Sequence, residues 1–322
     1  MIYNIKKKIR RFSQKNKIIG KIYNYLNKLK VNSLSRMSDE KFAKMKYYEN
    51  TGRKLNLTNP TTFNEKLWWL KINNRDPLLT TCSDKVEVRD YLIKKGFEDI
   101  LIPQVGVYSN PKDLEFDKFP DEVFIKTSHG SGRNLIWRRN SEFDYNKFNK
   151  EFESFLKQNY YLQSREWNYK NIEPKIVVEE IIKDDSELGL VDYRFLCFDG
   201  KVKLILVDTE TAASDGTHSP GAKRNVYNQD FELMDIKVSR EHFNHELISK
   251  PKNFEKMIEI SESLSDAFEF CRVDLYNIKG KIYFGEITFY TGGATQIIEP
   301  EKWEQKLGSW INLDSDKIVR KL

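Results

Sequence analysis

The stretch DEVFIKTSHGSGRNLIW, residues 121–137, constrains this chain more than any other. A short apolar strand, Val123-Phe124-Ile125, runs through Lys126 into a loop of small and polar residues and returns as Leu135-Ile136-Trp137. Two strands joined in this way form a hairpin whose tip holds Ser128, His129, Gly130, Ser131 and Gly132. Successive backbone N–H groups at such a tip can point outward together, and that concave cluster binds anions, phosphates above all. Lys126, at the strand end, brings a point charge to the same place. Taken alone, Gly-Ser-Gly is more often an ordinary flexible hairpin tip. It is not a P-loop, because GxxxxGK[ST] is absent, nor a dinucleotide fingerprint, because GSGRN lacks the third glycine and no helix signal follows at once.

A chain of 322 residues with 39% hydrophobic and 13% aromatic residues can build two or three packed subdomains and is not a disordered type. Its apolar runs fall far short of the ~18 residues that span a bilayer, and the basic start is not followed by an apolar signal core. Cys82, Cys197 and Cys271 are odd in number and far apart, as expected of reduced thiols in a cytoplasmic protein. The net charge of +6 is uneven: residues 1–30 hold ten lysines and arginines and no acid, so the rest of the chain is net negative. The body is therefore not expected to bind nucleic acid. Within residues 1–30, Ile2, Ile5, Ile9, Phe12, Ile19, Tyr23 and Leu26 recur at helical spacing among the lysines. That is the pattern of an interfacial membrane segment, and equally of a docked surface helix with a solvated charged face.

Further along, Ser38-Asp39-Glu40 and Asn59-Pro60-Thr61-Thr62 signal helix starts, and Ser83 is read as the N-cap of DKVEVRDYLIKKG, which ends at Gly96. On that helix Lys85 and Arg89, four apart, share a face. KIVVEEII (175–182) reads as a strand closing on Glu179-Glu180. DYRFLCFDGKVKLILVDTE is a hairpin turning at Asp199-Gly200, and a second hairpin turns at Lys279-Gly280. TAASDGTHSPGAKRN (211–225) reads as a loop. Strands and helices alternate without regular βαβ spacing, which predicts an α+β fold rather than a doubly wound sheet.

The second hairpin carries the remaining chemistry. Asp274 and Glu286 fall on neighbouring strands, with Thr288 and Arg272 two residues away on the same face. Two carboxylates and a hydroxyl suit Mg²⁺, which takes a few hard oxygens and fills its shell with phosphate oxygens and water. Arg272 could neutralise a transferring phosphoryl group, although an Arg–Asp pair beside a Glu is more often a structural salt bridge.

Taken in order, Lys85 at a helix start, Lys126 before the glycine loop, the strand closing on Glu179-Glu180, Arg272-Val273-Asp274 and Glu286-Ile287-Thr288 resemble the ATP-grasp superfamily, and FNEKLWWLKINNRDPL, DKVEVRDYL, FIKTSHGSG, DYRFLCFDGK and GEITFYTGG resemble its TupA-like teichuronopeptide-biosynthesis branch across about residues 40–310. The resemblance implies two α+β subdomains clasping ATP, with a helical N-terminal extension. It implies that Asp84-Lys85, Lys126 and residues 128–134 hold the phosphates of ATP, that Glu179, Glu180 and Ile181 border the adenine, and that Asp192 meets the ribose. Asp274 and Glu286 match the Mg²⁺ ligands and Arg272 the preceding arginine. Thr288 stands where the family usually has asparagine. The expected organisation is a basic segment (1–35), a helical region (36–83), a small subdomain (84–182), a large subdomain (183–310) and a tail (311–322).

The implied activity is an ADP-forming carboxylate–amine ligase working through an acyl phosphate. It would join an amino acid or amine to a uronic acid of a bacterial surface polysaccharide, of capsule, O-antigen or teichuronic type. Arg194 and Arg224, with Arg133, are candidates for an anionic acceptor, and His129 or His218 for a proton. Competing readings are a sugar kinase with the same nucleotide site and a glycosyltransferase, for which no DxD motif stands at a suitable strand end. The expected place is the cytoplasm, at the inner face of the plasma membrane where the basic segment meets lipid.

Overall fold

The computed structural model describes residues 34–213 and 215–321. The basic segment of residues 1–30, with its expected amphipathic helix, lies outside the described residues. Two helices start where the sequence places them. In α1 (Asp39–Thr51) the Ser38 hydroxyl accepts from Lys41 N–H, and Asp39 and Glu40 occupy the first turn, where the helix dipole favours acids. α2 (Phe63–Asn73) opens on a capping box between Thr62 and Glu65 and buries Leu67, Trp68 and Leu70.

The next stretch departs from its sequence reading. Ser83 ends a helix instead of starting one: α3 (Pro77–Ser83) is capped by Asp76 with Pro77 in its first turn, and α4 (Val88–Lys94) begins five residues after Ser83. Asp84 accepts from Val86 N–H at 2.8 Å, a local turn that breaks the helix there. Lys85 therefore sits in the inter-helix turn and shares no helix face with Arg89.

Two antiparallel sheets follow. The first contains β1 (Gln104–Tyr108), β2 (Glu122–Thr127), β3 (Asn134–Arg138) and β4 (Ile176–Glu180), in the order β1-β4-β2-β3. Between β3 and β4 come α5 (Tyr145–Leu156) and α6 (Tyr160–Ser164). Phe148 and Phe152 of α5 pack on Val123, Ile125, Trp137 and Val178 in an apolar cluster of their own. Each such side chain contributes about 1.5–3 kcal/mol on burial.

The second sheet is built from β5 (Asp192–Phe198), β6 (Lys201–Thr209) and β7 (Lys223–Tyr227), which precede the short β8 (Lys237–Val238). After α7 (Phe254–Ser265) it is completed by β9 (Phe270–Ile278) and β10 (Lys281–Thr288). Its order is β10-β9-β5-β6-β7, while β8 pairs with β11 (Ile298–Glu299). The expected hairpins at Asp199-Gly200 and Lys279-Gly280 are both present. A larger apolar cluster joins this sheet to α7, α2 and α8 (Lys302–Ser309). The fold is thus α+β and antiparallel, as the alternation of elements predicts.

The segment read as a loop between β6 and β7 is docked at its tip. Asp215 O accepts from Ile136 N–H of β3 at 3.0 Å, so the segment spans from one sheet to the other. Among the described residues no helix is long and apolar enough to cross a membrane, and all three cysteines are buried thiols.

Candidate active site

A cleft opens between the two sheets. Its polar lining comes from Lys85, Lys126, Glu179 and Glu286, and its apolar walls from Val88, Leu101, Ile102, Phe284 and Ile287. Lys126 of β2 reaches diagonally to Glu179 of the neighbouring β4 in an ion pair of 2.6 Å. The glycine loop is stitched at its root: Ser128 N–H donates to Lys175 O at 2.8 Å, and Ser128 Oγ accepts from Lys175 N–H at 2.9 Å. His129 Nε2 lies 3.2 Å from Phe155 O, and burial lowers the imidazole's affinity for a proton. Gly130 has φ +130, and a Cβ there would meet the Tyr160 ring at 3.1 Å, so only glycine lets the loop pass the ring. Lys85 Nζ donates to Gly130 O at 2.8 Å, which ties the inter-helix turn to the loop. Glu180 is the last residue of β4, with Ile181 just beyond it, and Glu180 N–H donates to Pro103 O at 3.0 Å.

The opposite wall is a ladder of charge across the second sheet. Glu286 stands directly opposite Asp274, and Asp274 directly opposite Arg194. The Arg272 guanidinium forks onto Asp274 with two bonds of 2.6 Å. Its Nη2 also donates to Glu286 Oε1 at 3.0 Å and Thr288 Oγ1 at 3.1 Å, and its Nη1 to Thr291 Oγ1 at 2.9 Å. Burial pushes the Asp274 carboxyl up to about 6 against the pull of Arg272 and Arg194. For Glu286 burial also works upward, but Arg272, Lys85 and Arg194 outweigh it and hold the acid below its ordinary value.

Three oxygens, on Asp274, Glu286 and Thr288, thus converge on one cationic nitrogen of Arg272. No group of three or more His, Cys, Asp or Glu that could hold a metal exists among the described residues. The donor set nevertheless fits Mg²⁺, which needs only one or two carboxylates when phosphate oxygens and water complete its shell. Asp274, Glu286 and Thr288 are the residues that would hold it.

The other expected site residues lie in the same ladder. Arg194 Nη2 contacts Asp192 at 3.0 Å, and its Nε lies 3.1 Å from Asp208 and 3.7 Å from Asp274. Burial works against the Arg194 charge, and the three aspartates outweigh it. Asp192 is buried in this network, beside Arg194. Arg224 forks onto Asp208 at 2.5 and 2.6 Å, and the adjacent Arg240 reaches the same carboxylate at 2.5 Å. Sequence reading missed Asp208 and Arg240, as well as the apolar walls of the cleft. For Phe284, the glycine that follows it and precedes Glu286 was the available signal, since a strand glycine marks a bulge or close approach.

A cleft between two antiparallel sheets, with lysines and a glycine loop on one side and a carboxylate pair on the other, is the arrangement of an ATP-grasp protein. The TupA-like ATPgrasp family matches residues 65–312, and the chain belongs to that family. ATP and Mg²⁺ are its cofactors. No curated protein matches the chain in sequence. Among solved structures it is similar to an L-amino acid ligase from Bacillus licheniformis, at 15% identity and a TM-score of 0.43, covering 68% of this chain and 46% of that one. It is also similar to a D-alanine–D-alanine ligase from Bacillus anthracis (18%, 0.38, covering 67% and 60%) and to a D-cycloserine synthetase (14%, 0.40, covering 73% and 70%). The chain therefore spans less than two thirds of the length of the first two.

Proposed function

We propose that the protein is an ADP-forming ligase that joins an amino acid or other amine to the carboxylate of a uronic acid in a bacterial surface saccharide, in the cytoplasm. The observation that carries the reaction type is the convergence of Asp274, Glu286 and Thr288 on Arg272, across the cleft from Lys85 and Lys126. Membership of the TupA-like family supports the saccharide acceptor. The two halves that hold the nucleotide divide near residue 104 and not at the expected residue 84, because Val88, Tyr91 and Leu92 of α4 pack in the larger cluster with the five-stranded sheet.

Lys85, Lys126 and the amides of the glycine loop bind the phosphates of ATP. Mg²⁺, when bound, supplies further neutralisation of their charge. A carboxylate oxygen of the acceptor attacks the γ-phosphorus, and ADP departs. The amine nitrogen then attacks the acyl carbon, phosphate leaves with the bonding pair, and the nitrogen gives up a proton. Arg272 faces the negative charge that develops in both steps, held in place by Thr291 Oγ1. Positioning and charge neutralisation are enough, so no strong protein nucleophile is needed. The glycine loop excludes water from the acyl phosphate.

The test is a coupled assay with ATP, Mg²⁺, glucuronic or galacturonic acid derivatives and a pool of amino acids, with mass spectrometry of the sugar. A mass gain of one amino acid less water, dependent on both partners, is expected. A phosphate on the sugar instead would make the protein a kinase. Lys126→Ala and Glu286→Ala should each abolish ATP turnover while circular dichroism stays unchanged, and full activity in either would mean that the site is misassigned.

A further inference from the structure

We propose that Arg240 and Arg194, both held by the buried Asp208, form a second oxyanion site beside the reactive centre, one that takes an additional carboxylate or phosphate of the acceptor. The inference rests on the reading of the protein as a ligase of anionic saccharides and narrows its substrate to an acceptor with two anionic groups.

Three guanidiniums converge on Asp208. Arg224 forks onto both of its oxygens, at 2.5 and 2.6 Å, which satisfies one buried carboxylate with one cation. Arg194 has Asp192 as a further partner, at 3.0 Å. Arg240 shares its carboxylate: among the described residues its ion pair is with Asp208 Oδ2 at 2.5 Å, an oxygen already engaged by Arg224. The neighbouring Glu241 does not offset it, since Glu241 pairs with Lys237 at 2.6 Å. A structural role for Asp208 would be met by Arg224 alone.

Exposure separates the three. The Arg224 side chain is 4% exposed, whereas Arg194 keeps 16% and Arg240 29% of its surface open. Arg224 is therefore the internal brace, and the other two keep part of their side-chain surface open, Arg240 most. Their location fits an acceptor. Arg194 Nε lies 3.7 Å from Asp274 Oδ2. Ser239, next to Arg240, accepts from Ile297 N–H through its hydroxyl at 3.1 Å and donates its own N–H to Ile297 O at 3.0 Å. That contact sets Arg240 beside the segment that follows Thr291. Planar guanidinium donors match the paired oxygens of carboxylate and phosphate.

The test uses the full chain loaded with Mg²⁺ and AMP-PNP, titrated calorimetrically with galacturonic acid, digalacturonic acid and galacturonic acid 1-phosphate. One of the two-anion probes should bind about tenfold tighter than galacturonic acid, equivalent to one charge-assisted contact. Preference for the disaccharide identifies a second carboxylate, and preference for the 1-phosphate identifies a phosphate. In Arg240→Met the advantage should shrink to about twofold or less, with AMP-PNP affinity unchanged. Equal affinity for all three probes, no binding of any, an advantage retained in Arg240→Met, or an equal loss of AMP-PNP binding would each overturn the site. The ligase reading fails separately: a two-anion preference without any amide product leaves the site standing, and amide product without the preference removes only the site.

Discussion

Lys85 carries the clearest consequence at the scale of single residues. Burial pulls its ammonium down to about 8, although Glu286 and Glu179 pull the other way. In the proposed site the charged form binds phosphate, and the free protein loses that form as pH rises through about 8. Affinity for Mg·AMP-PNP should therefore be level below about pH 7 and fall by up to about tenfold per unit above 8. Titrations between about pH 6.5 and 9.5 would show this, and Lys85→Met should bind weakly with a flat profile. The same depression means that the folded chain holds fewer protons than the unfolded one between 8 and 10.5, so this group adds stability as pH rises through that window. Lys85 was legible as a candidate because it follows Asp84 in a run of helix formers, but its contact with Gly130 O, 45 residues away, was not. Arg272, Asp274, Glu286 and Thr288 were legible because period-two alternation fixes their common face. Asp208, Arg224 and Arg240 meet only through strand register and a loop return, which no local spacing encodes.

Among the elements, the hairpin of β9 and β10 depends on one residue. Its register shifts between Phe284 and Glu286, with Gly285 as the extra residue of a bulge. Counting evenly back from the Lys279-Gly280 turn would put Gly285, not Glu286, opposite Asp274. Alternation alone therefore finds the right face and the wrong partner, and the strand glycine is what signals the correction. A Cβ at Gly285 would lie 3.0 Å from Asp274 O, and a strand carbonyl has little room to yield. Gly285→Ala should then move Glu286 against Asp274 and weaken the Mg²⁺ dependence of ATP turnover by about tenfold or more, the scale seen when support behind metal ligands is lost. A Mg²⁺ titration of the variant that matched the wild type would show that the bulge does not place the carboxylates. The Ser83 boundary is the opposite case. Two start signals, Asp76-Pro77 and Ser83, compete within eight residues, and the Asp-Pro pair with the turn at Asp84 decides it.

For the molecule as a whole, the important fact is that its apolar residues divide into two clusters with the cleft between them. The smaller joins α5 to the four-stranded sheet, and the larger joins the N-terminal helices, α7 and the five-stranded sheet. Between them run polar ties, among them Lys85 to Gly130 O and Asp215 O to Ile136 N–H. Such ties contribute about 0.5–1.5 kcal/mol each, or up to about 3 where a charge takes part, little beside the burial within each cluster. The clusters should thus unfold as two units when the cleft is empty, the smaller one first. A nucleotide held as proposed, by Lys126 on one side and through Mg²⁺ by the Asp274–Glu286 pair on the other, would bind only when both halves are folded. At a hundredfold excess over its dissociation constant it adds about 2.7 kcal/mol to the state in which both are intact. Differential scanning calorimetry should show two overlapping transitions for the protein alone and their merging at higher temperature with Mg·AMP-PNP. Glu286→Ala should keep the two transitions apart at the same nucleotide concentration. A single transition in the absence of nucleotide would mean that the ties across the cleft couple the halves more strongly than their number allows, and that the nucleotide enters one cooperative body.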